Sequence, residues 1–495
     1  MTATENPAVA APEPVIAPQV KRIAFVIILG AIMSVLDTTI VNVALQSLSR
    51  ELAAPLDQIQ WVVTGYLLAI AAVLPITGWA ANRFGARRLY ITSLVLFTLG
   101  SLLCGFAWST GSLILFRVLQ GVGGGLVLPV GQIILVKAAG PRALPRLMSF
   151  IGVPIILAPV FGPTLGGLLV EHAGWEWIFL VNIPIGIVAV IAGTRLLPKD
   201  EPEGAGRLDV LGLALVAAGL VGITYGLAET GATGSLTSDR VLAPFLGGLA
   251  LVTAFVVRSL RITEPLLNIR LFANRAFAAA AVTTLCLGAA LFGAMILMPL
   301  YFQTVRAEDA VHTGLLLMPQ GIGAAIAMGI SGRVTERAGG GVTSFFGVVI
   351  TAVATLPFVF IAAETSYWLI GAAMIARGFG IGMSMMPAMT AAFTVLRRDQ
   401  VAHASPQLTV LQRVGGSIGT AIFTVVLQRG IDGSGGTPAD VAGAFGNTYW
   451  WVMAVAVVAL IPTLVLTRVE RRAKEAPPET APAGSPAVPA LGSSR

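Results

Sequence analysis

The sequence holds two cysteines and three histidines among 495 residues, and these scarcities remove whole classes of chemistry. Cys104 and Cys286 both stand in apolar runs, where a thiol packs as a small hydrophobe, so neither a disulfide framework nor a metal cluster is expected. His172, His312 and His403 fall far apart and between the apolar runs. No glycine-rich phosphate loop ending in lysine occurs, so neither a nucleotide nor any other cofactor is expected. Charged residues reach only 11%, too few to coat a soluble protein of this length.

What fills the chain instead is apolar surface, 56% of all residues. It comes in stretches of roughly 20 residues, the length that carries a helix across about 30 Å of hydrocarbon. About fourteen such stretches follow one another, and twelve would remain without the Gly- and Ala-rich pair at 209–228 and 241–260. The first run, of about 25 residues, is too long for a signal peptide and reads as a retained anchor. The chain then divides into a tail over 1–21, a six-helix bundle over 22–197, a linker with two inserted helices over 198–270, a second six-helix bundle over 271–468 and a tail over 469–495. Both tails, rich in Pro and Ala, read as disordered. With both termini placed in the cytoplasm, about 24 Lys and Arg fall on that side and four outside. The net charge of +7 is therefore a topology signal, and nucleic acid is not an expected partner.

The two bundles repeat each other. Gly78-x-x-x-Asn82-Arg83-x-Gly85 recurs as Gly332-x-x-x-Glu336-Arg337-x-Gly339. Arg117 ahead of Gly121, Gly123, Gly125 and Pro129 recurs as Arg377 ahead of Gly378, Gly380, Gly382 and Pro387. Duplicated halves of this kind place a substrate site where they meet.

On these residues the chain resembles the fourteen-span drug:proton antiporter branch of the major facilitator superfamily. LDTTIVNVALQ (36–46) and WVVTGYLL (61–68) are similar to its first two helices. Gly78 to Arg88, with Asn82, Arg83, Gly85 and Arg87, is similar to its gating loop, and Arg117 to Gly125 to its fourth-helix motif. Gly152, Pro159, Gly162, Pro163, Gly166 and Gly167 resemble its antiporter motif, and WEWIFLVNIPIG (175–186) is similar too. The resemblance covers about 22–470 and implies an all-α polytopic fold of 6+2+6 helices with pseudo-two-fold related halves. Three positions depart from the family pattern: an acid is usual at Asn82, a base at Ala86 and an arginine at Glu176. Asn82 accepts hydrogen bonds but forms no ion pair, which implies a weaker latch at the cytoplasmic gate.

Asp37 is the only acid placed deep in a span, where an ionised group is costly and so a functional candidate. Ser34, Asp37, Thr38, Val41 and Asn42 share one helix face, a polar stripe suited to a cavity. Burial and a nearby cation act on a carboxyl in opposite directions, so cargo or a moving arginine can decide whether its proton stays. Arg117 lies at nearly the same depth and is the expected partner, tuning proton coupling; the alternative is a purely structural pair. Arg377 and Arg413 find no equally deep acid and are expected to meet backbone carbonyls or water. Substrate contacts are assigned to Ser34, Thr38, Asn42, Tyr66, Gln120, Met298 and Phe302. The aromatic and Met positions among these serve equally well as packing or interfacial anchors. Gly415-Gly416-Ser417-Ile418-Gly419 mimics a hydrolase motif, but no histidine is at hand, and small residues at that spacing pack helices. A membrane enzyme is therefore not expected.

The resemblance implies a multi-pass protein of the bacterial inner membrane that exports small lipophilic or cationic compounds, such as drugs, antibiotics or dyes, by proton antiport and alternating access. Its partners would be that cargo, protons and the lipid bilayer, with a periplasmic adaptor and outer-membrane channel as further candidates. An exporter of a native metabolite, peptide or lipid fits the same residues.

Overall fold

The computed structural model describes residues 17–475 apart from 201, 203, 205, 395 and 397–399, together with most of their side chains. The expected tails lie outside the described residues except at their inner edges, where helix already begins at Pro18 and continues to Glu475. All regular structure among the described residues is helical. In hydrocarbon a spanning segment must satisfy its own backbone, and helices do so within one segment.

The first half contains α1 (Pro18–Glu51), α2 (Leu56–Val73), α3 (Thr77–Phe84), α4 (Ala86–Gly105), α5 (Thr110–His172), α6 (Trp177–Leu180) and α7 (Asn182–Leu196). A short 3-10 turn over Leu74–Ile76 joins α2 to α3, so the pair forms one crossing. The inserted helices are α8 (Val210–Thr233) and α9 (Asp239–Arg261). The second half holds α10 (Arg275–Ala294), α11 (Leu297–Thr304), α12 (Ala310–Ala338), α13 (Gly340–Val359), α14 (Tyr367–Thr394), α15 (Val401–Asp432) and α16 (Pro438–Glu475).

Thirteen stretches among the described residues are long and apolar enough to cross a membrane. The fourteenth is hidden in α5. As a straight rod its 63 residues would run roughly 95 Å, about three times the hydrocarbon thickness. Its neighbours show that the chain doubles back instead. Along the first arm, Arg117 meets Asp37 and Gly131 packs on Ile27, so this arm runs antiparallel to α1. Along the second, Arg146 meets Glu336 while Thr164 faces Gly314, so this arm runs antiparallel to α12. The two arms are joined through 137–146, which is assigned helix throughout.

The loops bearing the repeated Gly-x-x-x-(Asn/Glu)-Arg-x-Gly motif mark one end of the bundle, called here the basic end. Gly85 (φ 85°) and Gly339 (φ 97°) each adopt a left-handed conformation at the start of the next helix, which explains glycine in both copies. Both helix starts are capped from far away in sequence. The Asp200 carboxylate accepts from the backbone N–H of Ala86 (2.5 Å) and Arg87 (3.2 Å), and Glu470 from those of Gly340 (3.1 Å) and Gly341 (2.6 Å). A carboxylate there satisfies orphan donors and complements the positive end of the helix dipole.

At this end the halves are closed on each other. Arg146 and Glu336 form an ion pair of 2.7 Å across the seam. The Ser149 and Ser331 hydroxyls meet at 2.9 Å, and Ser405 donates to the Gln132 amide oxygen at 2.8 Å. Gly78 lies against the backbone of Ala402 so tightly that a Cβ would come within 2.5 Å of its carbonyl oxygen. The second crossing packs on α15 through the Leu74–Phe84 portion, its basic-end part.

Beyond that portion α8 stands between α2 and α15. Tyr225 stacks on Trp61 of α2 at 5.7 Å, while Ile223 and Leu227 cluster with Ile418 and Ala421 of α15. Helix α9 packs on α8 where Gly219, Gly222 and Gly226 let Gly248 and its neighbours approach at backbone distance. It turns Leu246, Leu249, Val257 and Leu260 outward. Arg258 clamps Asp209 ahead of α8 at 2.9 Å. The hydrolase-like motif is a packing device: Gly415 and Gly419 admit the backbones of Leu285 and Ala289 of α10.

Candidate functional site

The polar centre of the first half is built around Asp37, which has no exposed surface. Its Oδ2 accepts from Arg117 Nη1 at 2.6 Å. Its Oδ1 accepts from Gln120 Nε2 at 2.9 Å and from Asn182 Nδ2 at 3.0 Å. Three crossings thus converge on one carboxylate: α1 supplies the acid, α5 the arginine and glutamine one turn apart, and α7 the asparagine at its first residue.

Each donor is itself held. Arg117 also donates through Nε to the Val62 carbonyl (3.1 Å) and through Nη1 to Gln120 Oε1 (2.8 Å), while its guanidinium lies 4.0 Å over the Tyr66 ring. Asn182 donates to Ser101 Oγ (3.1 Å), whose hydroxyl donates to the Phe179 carbonyl (2.8 Å). A buried pair held this fully is rigid, and removal of one member leaves a bare charge that costs about 3–5 kcal/mol.

A central cavity lies at the seam next to this network, about 80 Å³ in volume. From α1 it is lined by Ser34 and Thr38, which flank Asp37 on the same face. Gln132, Thr409, Gln412 and Arg413 add polar groups, and Phe292, Met385, Met386 and Met389 an apolar wall.

The expected substrate residues separate into three groups. Ser34 and Thr38 do line the cavity. Gln120 and Tyr66 are fully buried and belong to the support of the Asp37–Arg117 pair: Gln120 grips both members, and Tyr66 lies beneath Arg117 with its hydroxyl near the Ser34 carbonyl (3.4 Å). Asn42 is exposed and donates to the Thr38 carbonyl at 3.3 Å. Met298 and Phe302 are placed elsewhere, in a packed cluster with Tyr301, Phe358 and Tyr449 inside the second half, because their short helix α11 turns them inward.

Of the antiporter-motif residues, Gly162 and Gly166 receive Thr39 and Ile40 of α1, and Gly152 receives Met328 and Met386 from the second half. Gly167 faces open space. The side chains of Pro159 and Pro163 lie outside those described. In the gating loop, Gly78 is the close-approach point, Arg87 donates to the Thr194 carbonyl at 2.6 Å, and Arg83 and Arg88 are exposed. Asn82 is half-buried, and its Oδ1 accepts no hydrogen bond from any described residue. Arg377, the repeat counterpart of Arg117, meets neutral partners, Gln320 Oε1 (3.2 Å) and the Ala290 carbonyl (3.1 Å).

Sequence reasoning missed Asn182, Gln132, Gln412 and the Met385–Met389 wall. Neutral polar residues in a span raise no alarm, although Asn182 stood inside the WEWIFLVNIPIG segment already singled out.

Comparison with known proteins supplies the family. The family model described as Major Facilitator Superfamily matches residues 27–420. The "Multidrug resistance protein B homolog" of Mycobacterium tuberculosis is 41% identical over 409 residues, 82% of this chain and 76% of that protein. The "Uncharacterized MFS-type transporter YhcA" of Bacillus subtilis is 31% identical over 401 residues, 81% of this chain and 75% of its own. Among solved structures, the proton:xylose symporter XylE superposes with a TM-score of 0.61 at 12% identity, over 89% of this chain and 94% of its own, a likeness of fold.

Proposed function

Because this chain belongs to the Major Facilitator Superfamily of multi-pass membrane transporters, we propose that it exports small lipophilic compounds in exchange for protons, its halves rocking about the central cavity. One observation carries the reading: the fully buried Asp37, ion-paired with Arg117, sits on α1 between the cavity-lining Ser34 and Thr38. A proton arriving at Asp37 cancels the charge that holds Arg117, and cargo pressing on Ser34 and Thr38 moves the same turn of α1. Proton and cargo therefore act on one element, which is what coupling requires. A potential of 100 mV supplies about 2.3 kcal/mol per charge, close to the ~2.7 kcal/mol that a hundredfold gradient demands. The multidrug name of the mycobacterial relative supports lipophilic cargo of varied shape, and the Met-lined wall suits it.

In this reading the protein lies in the bacterial inner membrane with the basic end and both termini in the cytoplasm, in keeping with the lysine and arginine asymmetry. The closed basic end then corresponds to the state facing away from the cytoplasm. The test is purified protein in inside-out vesicles: an acidified lumen should drive a fluorescent dye inward, and nigericin, by collapsing the pH gradient, should stop it. Accumulation indifferent to nigericin would refute proton coupling.

A further inference from the structure

The charge lining the central cavity is of one sign. Arg413 of α15 faces it and makes no hydrogen bond or ion pair with any described residue. No acidic side chain lines the cavity. Asp37, the acid a cationic cargo would need, does not line it and already holds Arg117, Gln120 and Asn182. The neutral polar groups around Arg413 are the hydroxyls of Ser34, Thr38 and Thr409, each already donating to a backbone carbonyl, and the Gln132 and Gln412 amides, so none of them carries a charge to balance the arginine.

An arginine withdrawn from bulk water needs something to replace its hydration. The cavity's 80 Å³ leaves room beside the guanidinium for a small polar group. The opposite wall, Phe292 with Met385, Met386 and Met389, is apolar, and its thioethers can yield to admit a bulkier body.

We propose that the central cavity selects amphipathic anions, lipophilic molecules bearing one carboxylate, sulfonate or phenolate, and that Arg413 binds the anionic head while the Met-lined wall takes the body. A guanidinium pairs such groups with two parallel hydrogen bonds, and in a water-poor seam that pairing is strong. This rests on the export reading above, because it assigns the cargo of the same cavity.

Two dyes of one skeleton test it: fluorescein, an anionic xanthene, and rhodamine 6G, a cationic one, each followed in acid-loaded inside-out vesicles. The unaltered protein is expected to accumulate fluorescein. Arg413→Gln is expected to lower the ratio of fluorescein to rhodamine flux at least tenfold, and Arg413→Lys, which keeps the charge, to hold that ratio within about threefold of the original. Equal loss of both dyes in Arg413→Gln and Arg413→Lys would assign the residue to packing and overturn the proposal. Gradient-driven transport of rhodamine alone by the unaltered protein would overturn it too, while leaving proton-driven export standing. If neither dye responds to the gradient, the export reading falls and the cargo assignment falls with it.

Discussion

Arg146 and Glu336 join the two halves at 2.7 Å, each about five-sixths buried, whereas Asn82, the repeat counterpart of Glu336, accepts nothing from any described residue. The closure of the basic end is therefore asymmetric, with a charged latch on one side of the seam and a neutral one on the other. Glu336→Gln removes the charged latch, worth about 1 kcal/mol for a partly exposed pair, and should raise the population open at the basic end roughly fivefold. Spin-label distances across that end report it. Exchange of the two charges, Arg146→Glu with Glu336→Arg, should restore most of the closed state, and an unaltered distribution in Glu336→Gln would count against the latch.

The neutral latch can be strengthened. Asn82 stands one helical turn beyond Gly78 and shares a polar crevice with His403 in the first turn of α15, the end of that helix that carries partial positive charge. Asn82→Asp should favour closure of the basic end by about 0.3–1 kcal/mol, a shift of roughly two- to fivefold, and slow its reopening. Crosslinking of cysteines introduced on either side of the basic end measures it, and an equal crosslinking rate in both proteins would speak against the idea.

Asp37→Asn should abolish gradient-driven efflux while the protein still inserts, because it removes the one titratable acid at the site and leaves Arg117 buried and unpaired. The second effect separates from the first. Asp37→Asn should lose about 3–5 kcal/mol of stability, and Asp37→Asn with Arg117→Gln should recover much of it without recovering transport. Thermal denaturation in detergent reads stability and vesicle assays read transport; parallel recovery of both would show that the pair is only a brace.

Asp200 and Glu470 predict matched effects from residues that no motif contains. Each caps the helix following a repeated loop, so Asp200→Ala and Glu470→Ala should each cost about 1 kcal/mol, seen as a lower melting temperature. Neither touches the cavity, so dye selectivity should not change. Loss in only one of them would break the equivalence of the halves.

What the sequence made legible was whatever is conspicuous against lipid. Asp37 and Arg117 stood out because charge is rare in a span, and their pairing followed from depth alone. The repeats showed because two glycines in each loop must remain glycine, one for a left-handed turn and one for close approach. The support of the pair was less visible: Asn182 is 145 residues from Asp37 and neutral, so nothing in its neighbourhood announces a partner. The helix caps hid for the same reason, since Asp200 lies 114 residues from the backbone it holds. Met298 and Phe302 were misplaced because residue type and depth suit a pocket and a packed core equally, and only helix rotation tells them apart.

Helix α8 touches both halves, so the proposed rocking would shear one of its two faces. Against α2 it presents the Tyr225–Trp61 stack, whose overlapping rings resist sliding; against α15 it presents Ile223 and Leu227 on Ile418 and Ala421, aliphatic surface that can slip without losing a hydrogen bond. In the rocking proposed above, the slip plane would lie on the α15 side and the inserted hairpin would travel with the first half as its outrigger. Lipid cannot flow between α2 and α15 past such a helix, so a cargo dissolved in the bilayer meets a closed wall at this flank and must enter elsewhere.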